Sequence, residues 1–447
     1  MKVFQKIAWL LGVVLVLPLG WAYPAAAYEP GEGGTFNTPN PWGSAAQRGA
    51  IVRRVDSAID ATQPTAEDPN PVILISTFLL DRGPSVDALI AACRRGVSVR
   101  VILDADIDND QAKRLIQALN GDNVPDEDND GVPDGIPTAG NCNSDLPTEP
   151  PPEPGLITDA EALESVSEPT DESFTWGGDR SYAKKCVGSC RGAGGNMHSK
   201  FYAFSTTGTA KYVVMVSSSN LNKGGAGAGW NDLYTMTNRP ASYDVYKRIH
   251  REMTDDTRAG DGRVEVQDGP YVSRFFPMHR ASQAEDPTLQ DLKKIGCRSD
   301  FGRTKVNVSM FYWKGTRGNY LADKLLSLAR SGCQVSIIYG APSVQIAEKL
   351  RKAARAGLIN LFDSRWDMNN DGYNEVRTHA KYVLVKGKYG ADTSAYEVMT
   401  GSQNWVAGSL SRGDEVSLNI SLRSAHADYI ADWVRIRQHS RRLPYNS

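Results

Sequence analysis

The chain has 447 residues, enough for two core-bearing units. With 40% hydrophobic and 23% charged residues it has a globular composition, which sets aside a fibrous or wholly disordered chain. The net charge of −2 conceals a segregation: residues 121–175 hold fifteen Asp or Glu and no Lys or Arg, so the rest carries +13, or +11 without two lysines near the start. A basic body suits anionic, phosphate-bearing partners.

In chain order, Lys2 and Lys6 precede an apolar run from Ile7 to Ala22, and Ala25-Ala26-Ala27 gives a small-residue cleavage site. Residues 1–27 therefore read as a secretory signal peptide, and the mature protein is expected outside the cell. In an oxidising compartment the six cysteines, Cys93, Cys142, Cys186, Cys190, Cys297 and Cys333, favour disulfides. Cys186 and Cys190 are expected to close a local loop or to reach Cys142. Cys93, in a helix-like run, reads as a buried thiol.

Residues 28–44 read as a Gly-rich leader. Ala45 to Ile59 has helical spacing, with Ile51, Val55 and Ile59 on one face. Val72 to Phe78 is a nearly continuous apolar run, as in a strand buried on both faces. A helix at Ser85–Arg95 and a strand at Val97–Leu103 complete a crossover unit, which points to a parallel or mixed sheet. The order returns in the second half: strand Val306–Phe311, helix Leu321–Arg330, strand Cys333–Tyr339, helix Val344–Ala356. The expected division is an N-terminal half, 45–260, with the acidic insertion 121–175, and a C-terminal half, 261–447. Asp126, Asp128, Asp130, Gly131 and Asp134 share a spacing with Asp367, Asn369, Asp371, Gly372 and Glu375. These two stretches read equally as Asp/Asn/Gly turns or as short structural calcium loops.

A second repeat carries chemistry. His198-Ser199-Lys200 opens the strand-like run Lys200–Phe204, and His379-Ala380-Lys381 opens Lys381–Val385. A further apolar run follows each and ends in Ser217-Ser218-Ser219-Asn220 or Gly401-Ser402-Gln403-Asn404. A carboxylate comes twelve residues after Asn220 (Asp232) and eleven after Asn404 (Glu415). Alternation along a strand puts His198 and Lys200 on one face, and likewise His379 and Lys381.

This duplicated set resembles the phospholipase D superfamily, whose signature is H-x-K-x4-D followed by G-S-x-N. Three positions depart from it: Ser205 and Lys386 stand where the pattern has Asp, and Ser217 where it has Gly. The resemblance implies an α/β fold of two fused repeats with mixed sheets flanked by helices, related by a pseudo-two-fold axis. It also implies a phosphodiesterase that cleaves phospholipid head groups through a phosphohistidine, with transfer to an alcohol as a further outcome.

The residues fit that chemistry. One neutral imidazole attacks phosphorus, and a second protonates the leaving oxygen. Lys200 and Lys381 neutralise the non-bridging oxygens, while Ser218, Asn220, Ser402 and Asn404 donate hydrogen bonds to them. Asp232 and Glu415 are the expected carboxylates on the far nitrogens of the histidines. By resemblance His198 is the nucleophile and His379 the acid. No cofactor is required in this scheme. Trp230 and Trp405 are candidates for lining the pocket. The expected partner is a phospholipid surface met by a peripheral monomer. A nuclease with the same two-histidine site, and an inactive phosphate- or membrane-binding homologue, are the alternatives.

Overall fold

The computed structural model describes residues 28–120 and 181–443. The expected signal peptide, the acidic insertion with its Asp126–Asp134 stretch, and Cys142 lie outside them. Two large sheets dominate. The first runs Gly33–Phe36, Asp232–Met236, Ala210–Ser217, Phe201–Thr207, Val72–Thr77, Ser98–Asp104, Tyr182–Cys186 from edge to edge. The second contains the same run with Glu415–Ile420, Asp392–Gly401, Lys381–Tyr389, Lys305–Trp313, Gln334–Pro342 and Asn360–Asp363. Arg441–Leu443 extends it at one edge, and the hairpin Val264–Asp268 and Tyr271–Phe276 at the other. In each repeat the three strands joined through helices are parallel, and the strands that carry the H-x-K motifs are antiparallel to them. The fold is thus a duplicated α/β unit with mixed sheets.

Strand alternation divides the apolar residues between layers. Ile73 and Ile75 face an outer core formed with the helices Ala50–Asp60, Gly83–Arg94 and Asp110–Asn120. Val72 and Leu74 point the other way, into the core between the sheets. The second sheet does the same, with Val383 and Val385 outward and Tyr382 and Leu384 inward. The central core is continuous from Phe201 and Val216 of one sheet to Leu384 and Leu418 of the other. It includes Tyr246 and Ile249 of helix Pro240–Thr254 and Tyr429, Trp433 and Ile436 of helix Arg423–Gln438. Separating the halves would expose this whole layer, at about 1.5–3 kcal/mol for each large apolar side chain.

Two expectations are corrected. The segment read as a leader supplies a strand: Gly33–Phe36 pairs antiparallel with Asp232–Met236. Cys93 is disulfide-bonded, not a buried thiol, and no cysteine is free among the described residues. Cys186–Cys190 and Cys297–Cys333 are bridged.

One buried ion pair fixes a turn that matters below. Arg317, 1% exposed, donates to both Asp286 oxygens at 2.8 and 3.1 Å, and also to the Asn404 carbonyl and Gln403 Oε1, each at 2.9 Å. Removing Asp286 would strand a guanidinium in the interior. Asp286→Ala is expected to cost about 3–5 kcal/mol in urea unfolding, whereas a loss under about 1 kcal/mol would show that Arg317 finds other compensation.

Candidate functional site

The two H-x-K motifs meet along a seam that is crossed in the backbone itself. The His198 N–H donates to the Asp414 carbonyl at 3.0 Å, and the His379 and Ala380 N–H groups both donate to the Trp230 carbonyl at 2.8 Å. Arg377–Thr378 runs parallel to Gly229–Trp230 as a two-stranded strap, and Met197 bridges to Asp414 in the same sense. Each histidine therefore hangs from the opposite half, one residue before the side chain that meets its ring. His198 Nδ1 is 3.0 Å from Glu415 Oε2, and His379 Nδ1 is 2.8 Å from Asn231 Oδ1.

The second contact corrects the sequence reading. Asp232 does not touch a histidine: its carboxylate accepts from Tyr429 Oη at 2.9 Å and from Thr400 Oγ1, inside the central core. The residue equivalent to Glu415 is Asn231, which lies eleven residues after Asn220, as Glu415 lies eleven after Asn404. The amide is oriented by its own bonds. Asn231 Nδ2 donates to the Gly229 carbonyl at 3.1 Å, and Ser218 Oγ donates to Asn231 Oδ1 at 3.3 Å. The oxygen thus faces His379, so the proton sits on Nδ1 and Nε2 carries the free lone pair. Asn37, in the segment read as a leader, accepts from the Asn231 backbone N–H at 2.7 Å and so fixes the main chain from which that side chain extends.

The serines are corrected as well. Ser402 Oγ donates to Glu415 Oε2 and accepts from the Val416 N–H at 3.1 Å; Ser218 Oγ accepts from the Asp232 N–H at 3.0 Å. Both are fully buried and orient the histidine partners, where the sequence reading had them meet phosphate. Asn220 takes the Leu79 N–H on its Oδ1 at 3.3 Å, which leaves its amide donors for the cavity it lines. Asn404 is held by Arg317 through its carbonyl. Trp230 and Trp405 are buried: Trp230 stacks on Trp42 at 5.7 Å, and Trp405 meets Trp313 edge-on at 5.0 Å.

The departures from the family pattern lie away from the rings. Ser205 Oγ accepts the Val72 N–H and donates to Asp68 Oδ2, both at 2.8 Å, tying together two strand ends. Lys386 lies over Phe301 and Tyr396 at 4.9 and 5.4 Å. Both lie further along their strands, on the face opposite to the motif lysines.

Two phenylalanines that the sequence reading passed over wall the site in matching fashion. The Phe78 ring is 5.2 Å from His198 and 5.3 Å from Lys200 Nζ; Phe311 is 4.7 Å from His379 and 5.1 Å from Lys381 Nζ. The sequence signal was Ser76-Thr77-Phe78 against Ser309-Met310-Phe311 at the same strand ends. Each lysine also folds back: Lys200 Nζ donates to the His198 carbonyl at 2.5 Å, and Lys381 Nζ to that of His379.

Burial and mutual repulsion set the electrostatics. Burial pushes Lys200 down to about 7, opposed by the Glu415 and Asp104 carboxylates. Burial and the neighbouring Lys200 hold Lys381 well below the usual ammonium range. Burial, then Lys381, Lys200, His198 and Arg377, hold His379 well below an ordinary imidazole. His198 is lowered mainly by burial, with Glu415 pulling it back. Four groups that resist protonation face one another, and an anion placed among them would stabilise every cation at once. Asp414, whose carbonyl holds His198, also takes the Ser189 Oγ–H at 2.8 Å and the Cys190 N–H at 2.6 Å on its carboxylate, and burial pushes that carboxyl up to about 6. This fastens the Cys186–Cys190 loop to the other half.

A cavity of about 180 Å³ opens beside His379, lined by Asn220, Asn222, Asn231, Glu375 and Arg377 among others. The carboxylates of Asp367, Asp371 and Glu375 come within 4.8 Å of one another in the preceding loop. Part of that loop's oxygen set is engaged internally, with Glu375 accepting from the Met368 N–H at 2.7 Å and Asp367 from the Gly372 N–H at 2.8 Å.

Fold and site together define a duplicated α/β protein with two histidines and two lysines gathered at the seam between its halves. A family model described as cardiolipin synthase, PLD-like domain, matches residues 69–255 and 302–436, and the chain belongs to this phospholipase D-like phosphodiesterase family. No curated protein matches the chain. Among solved structures, phosphatidylserine synthase of Haemophilus influenzae Rd KW20 is similar at 13% identity and a TM-score of 0.50, over 93% of this chain and 88% of that one. Polyphosphate kinase of Porphyromonas gingivalis is similar at 12% identity and a TM-score of 0.47, over 90% of this chain; this chain spans half the kinase's length. Nuc of Salmonella typhimurium is similar at 15% identity and a TM-score of 0.28, over 39% of this chain and 97% of that one. At 13% identity the likeness to the synthase concerns the fold alone.

The depressed lysine gives a prediction without any assumption about substrate. Sulfate keeps its charge across neutral pH, so its affinity is expected to fall between pH 6 and 8 as Lys200 loses its proton, by up to about tenfold per pH unit. Calorimetric titration should show this slope in the protein and a shallower one in Lys200→Met. A flat profile would mean that Lys200 stays charged in the free protein.

Proposed function

We propose that this protein is an exported, monomeric phosphodiesterase of the phospholipase D type that acts on phospholipid head groups at a membrane surface. The observation that carries the reading is the pairing of two imidazoles, each with Nδ1 held by the opposite half, beside two lysines. His198 Nε2 attacks phosphorus and the bond to the head-group oxygen breaks. With the anionic phosphate bound, His379 takes up a second proton on Nε2 and gives it to that oxygen. His379 then takes a proton from water or an alcohol, whose oxygen attacks phosphorus and releases His198.

The unequal partners divide the roles. N-phosphorylation leaves the His198 ring cationic, and the adjacent Glu415 carboxylate stabilises it. Asn231 offers His379 a neutral acceptor, which fixes its tautomer without holding the proton, as a group that alternates between acid and base requires. Lys200 and Lys381 answer the charge on the non-bridging oxygens, and Asn220 supplies a donor. The chain's own residues fill each role, so the reaction needs no cofactor, and calcium, if bound at Asp367, Asp371 and Glu375, is structural.

The surface around the site favours lipid over nucleic acid. Val187, Val344, Trp366, Met368 and Tyr373 are exposed large apolar residues, and Val187 and Val344 are 74% and 75% exposed. They lie in segments that follow Tyr182–Cys186, Gln334–Pro342 and Asn360–Asp363, whose C-terminal ends share the sheet edge with the histidines. An exposed apolar set of this kind suits contact with an apolar surface, and the Asp367–Glu375 loop beside the site would repel a nucleic-acid backbone.

Turnover of phosphatidylcholine vesicles, of plasmid DNA and of a p-nitrophenyl phosphodiester would test this, run in EDTA. The expected result is turnover of lipid without divalent metal. EDTA abolishing activity while the circular dichroism is unchanged would overturn the metal-free reaction, and DNA cleaved in place of lipid would establish the nuclease. His198→Ala should abolish activity on all substrates and form no phosphoprotein. His379→Ala should lose about 10²–10⁴-fold on lipid and recover on the aryl diester, whose leaving group needs no proton. Phosphate trapped on His379, with His198→Ala still labelled, would reverse the roles.

A further inference from the structure

The cavity beside His379 has an unusual wall. On one side are the amides of Asn220, Asn222 and Asn231 and close glycine backbone. A Cβ on Gly229 would lie 3.0 Å from that of His379, and one on Gly225 would lie 2.6 Å from the Asn220 carbonyl oxygen. On the other side are Glu375 and Arg377, two apart in the extended segment that leads into the motif, while the intervening Val376 is buried away from them. Arg377 spends one N–H on the Asn374 carbonyl at 2.8 Å and lies over the Phe311 ring at 5.4 Å. Glu375 takes the Met368 N–H. Among the described residues neither has an ion-pair partner, so a free guanidinium and a free carboxylate share one small polar cavity.

We propose that this cavity is the head-group subsite, and that it selects a small amino alcohol carrying both an ammonium and a carboxylate, as the serine head group does. The inference rests on His379 being the group that protonates the leaving oxygen, which places the departing alcohol on this side. At about 180 Å³ the cavity is below the ~300–1,000 Å³ of drug-sized sites and suits a short alcohol. Arg377 answers the carboxylate and Glu375 the ammonium, and the asparagine amides complete the hydrogen bonding. Choline would find no Trp, Tyr or Phe ring among the lining residues to receive its quaternary ammonium. Glycerol would leave both ions unanswered, and a site built for polar partners discriminates against a ligand that lacks them.

The test uses dihexanoyl lipids below their micelle concentration, which removes surface partitioning, with EDTA to keep Glu375 free of cations. Serine, choline and glycerol head groups are compared on the full protein, on Arg377→Met and on Glu375→Gln. The full protein is expected to show at least tenfold higher kcat/KM for the serine lipid, and each variant to bring the three values within about threefold. Equal or faster turnover of choline or glycerol lipid would overturn the proposal, as would variants that lower all three in equal proportion. Calorimetry with glycerophosphoserine and glycerophosphocholine separates this idea from the reaction. A preference for the serine diester in a protein that turns over no lipid would keep the subsite and remove the phospholipase reading. The absence of any preference would remove the subsite alone.

Discussion

Two backbone hydrogen bonds govern the geometry of this site: His198 N–H to the Asp414 carbonyl, and His379 N–H to the Trp230 carbonyl. They cross between the halves, so the ring of each histidine is delivered to a side chain of the other. A peptide bond cannot rotate to release one contact and keep the next. Fixing the carbonyl of residue 414 or 230 therefore also fixes where Glu415 or Asn231 enters. Neither half holds a complete site by itself.

The rest of the fold keeps that seam from opening. The central core runs without interruption from one sheet to the other, and helix Arg423–Gln438 of the second half contributes Tyr429 to it, whose hydroxyl closes on Asp232 of the first. At the periphery, the Asp414 carboxylate gathers the Cys186–Cys190 loop, and Arg317 clamps the turn at Gln403-Asn404. Each device joins segments far apart in sequence and ends within a few residues of the motif set. Burial carries an electrostatic cost, visible in the depressed basicity of Lys200, Lys381, His198 and His379. A site that resists its own positive charge in the free state is a site that gains most from an incoming phosphate.

The near-symmetry of the repeat makes its breaks informative. The halves share strand order, the Phe78 and Phe311 walls and the orienting serines Ser218 and Ser402, yet the histidine partners are an amide on one side and a carboxylate on the other. Two chemically distinct imidazoles suit a reaction whose two histidines do different work. The lost pattern Asp residues, by contrast, are replaced further along the motif strands, where Ser205 with Asp68, and Lys386 with two aromatic rings, make local contacts.

Much of this was legible in the chain. Continuous apolar runs such as Val72 to Ile75 declare strands covered on both faces, because nothing polar is left for solvent. Alternation places His198 with Lys200 and His379 with Lys381 for the same reason. The repeat of strand, helix and motif order gave the duplicated α/β fold and the family. Spacing could not say which side chain meets which ring. Asn231 immediately precedes Asp232, the first residue of its strand, their side chains reach different partners, and a one-residue difference decides whether an amide or a carboxylate meets His379. The register is set by the pairing of Asp232–Met236 with Gly33–Phe36 and Ala210–Ser217, and by Asn37 and Ser218 on Asn231. Sequence thus determined the residue types and the strands that present them. Only the packing of one half on the other decided the partners, because contacts made across the seam leave no periodic trace along the chain.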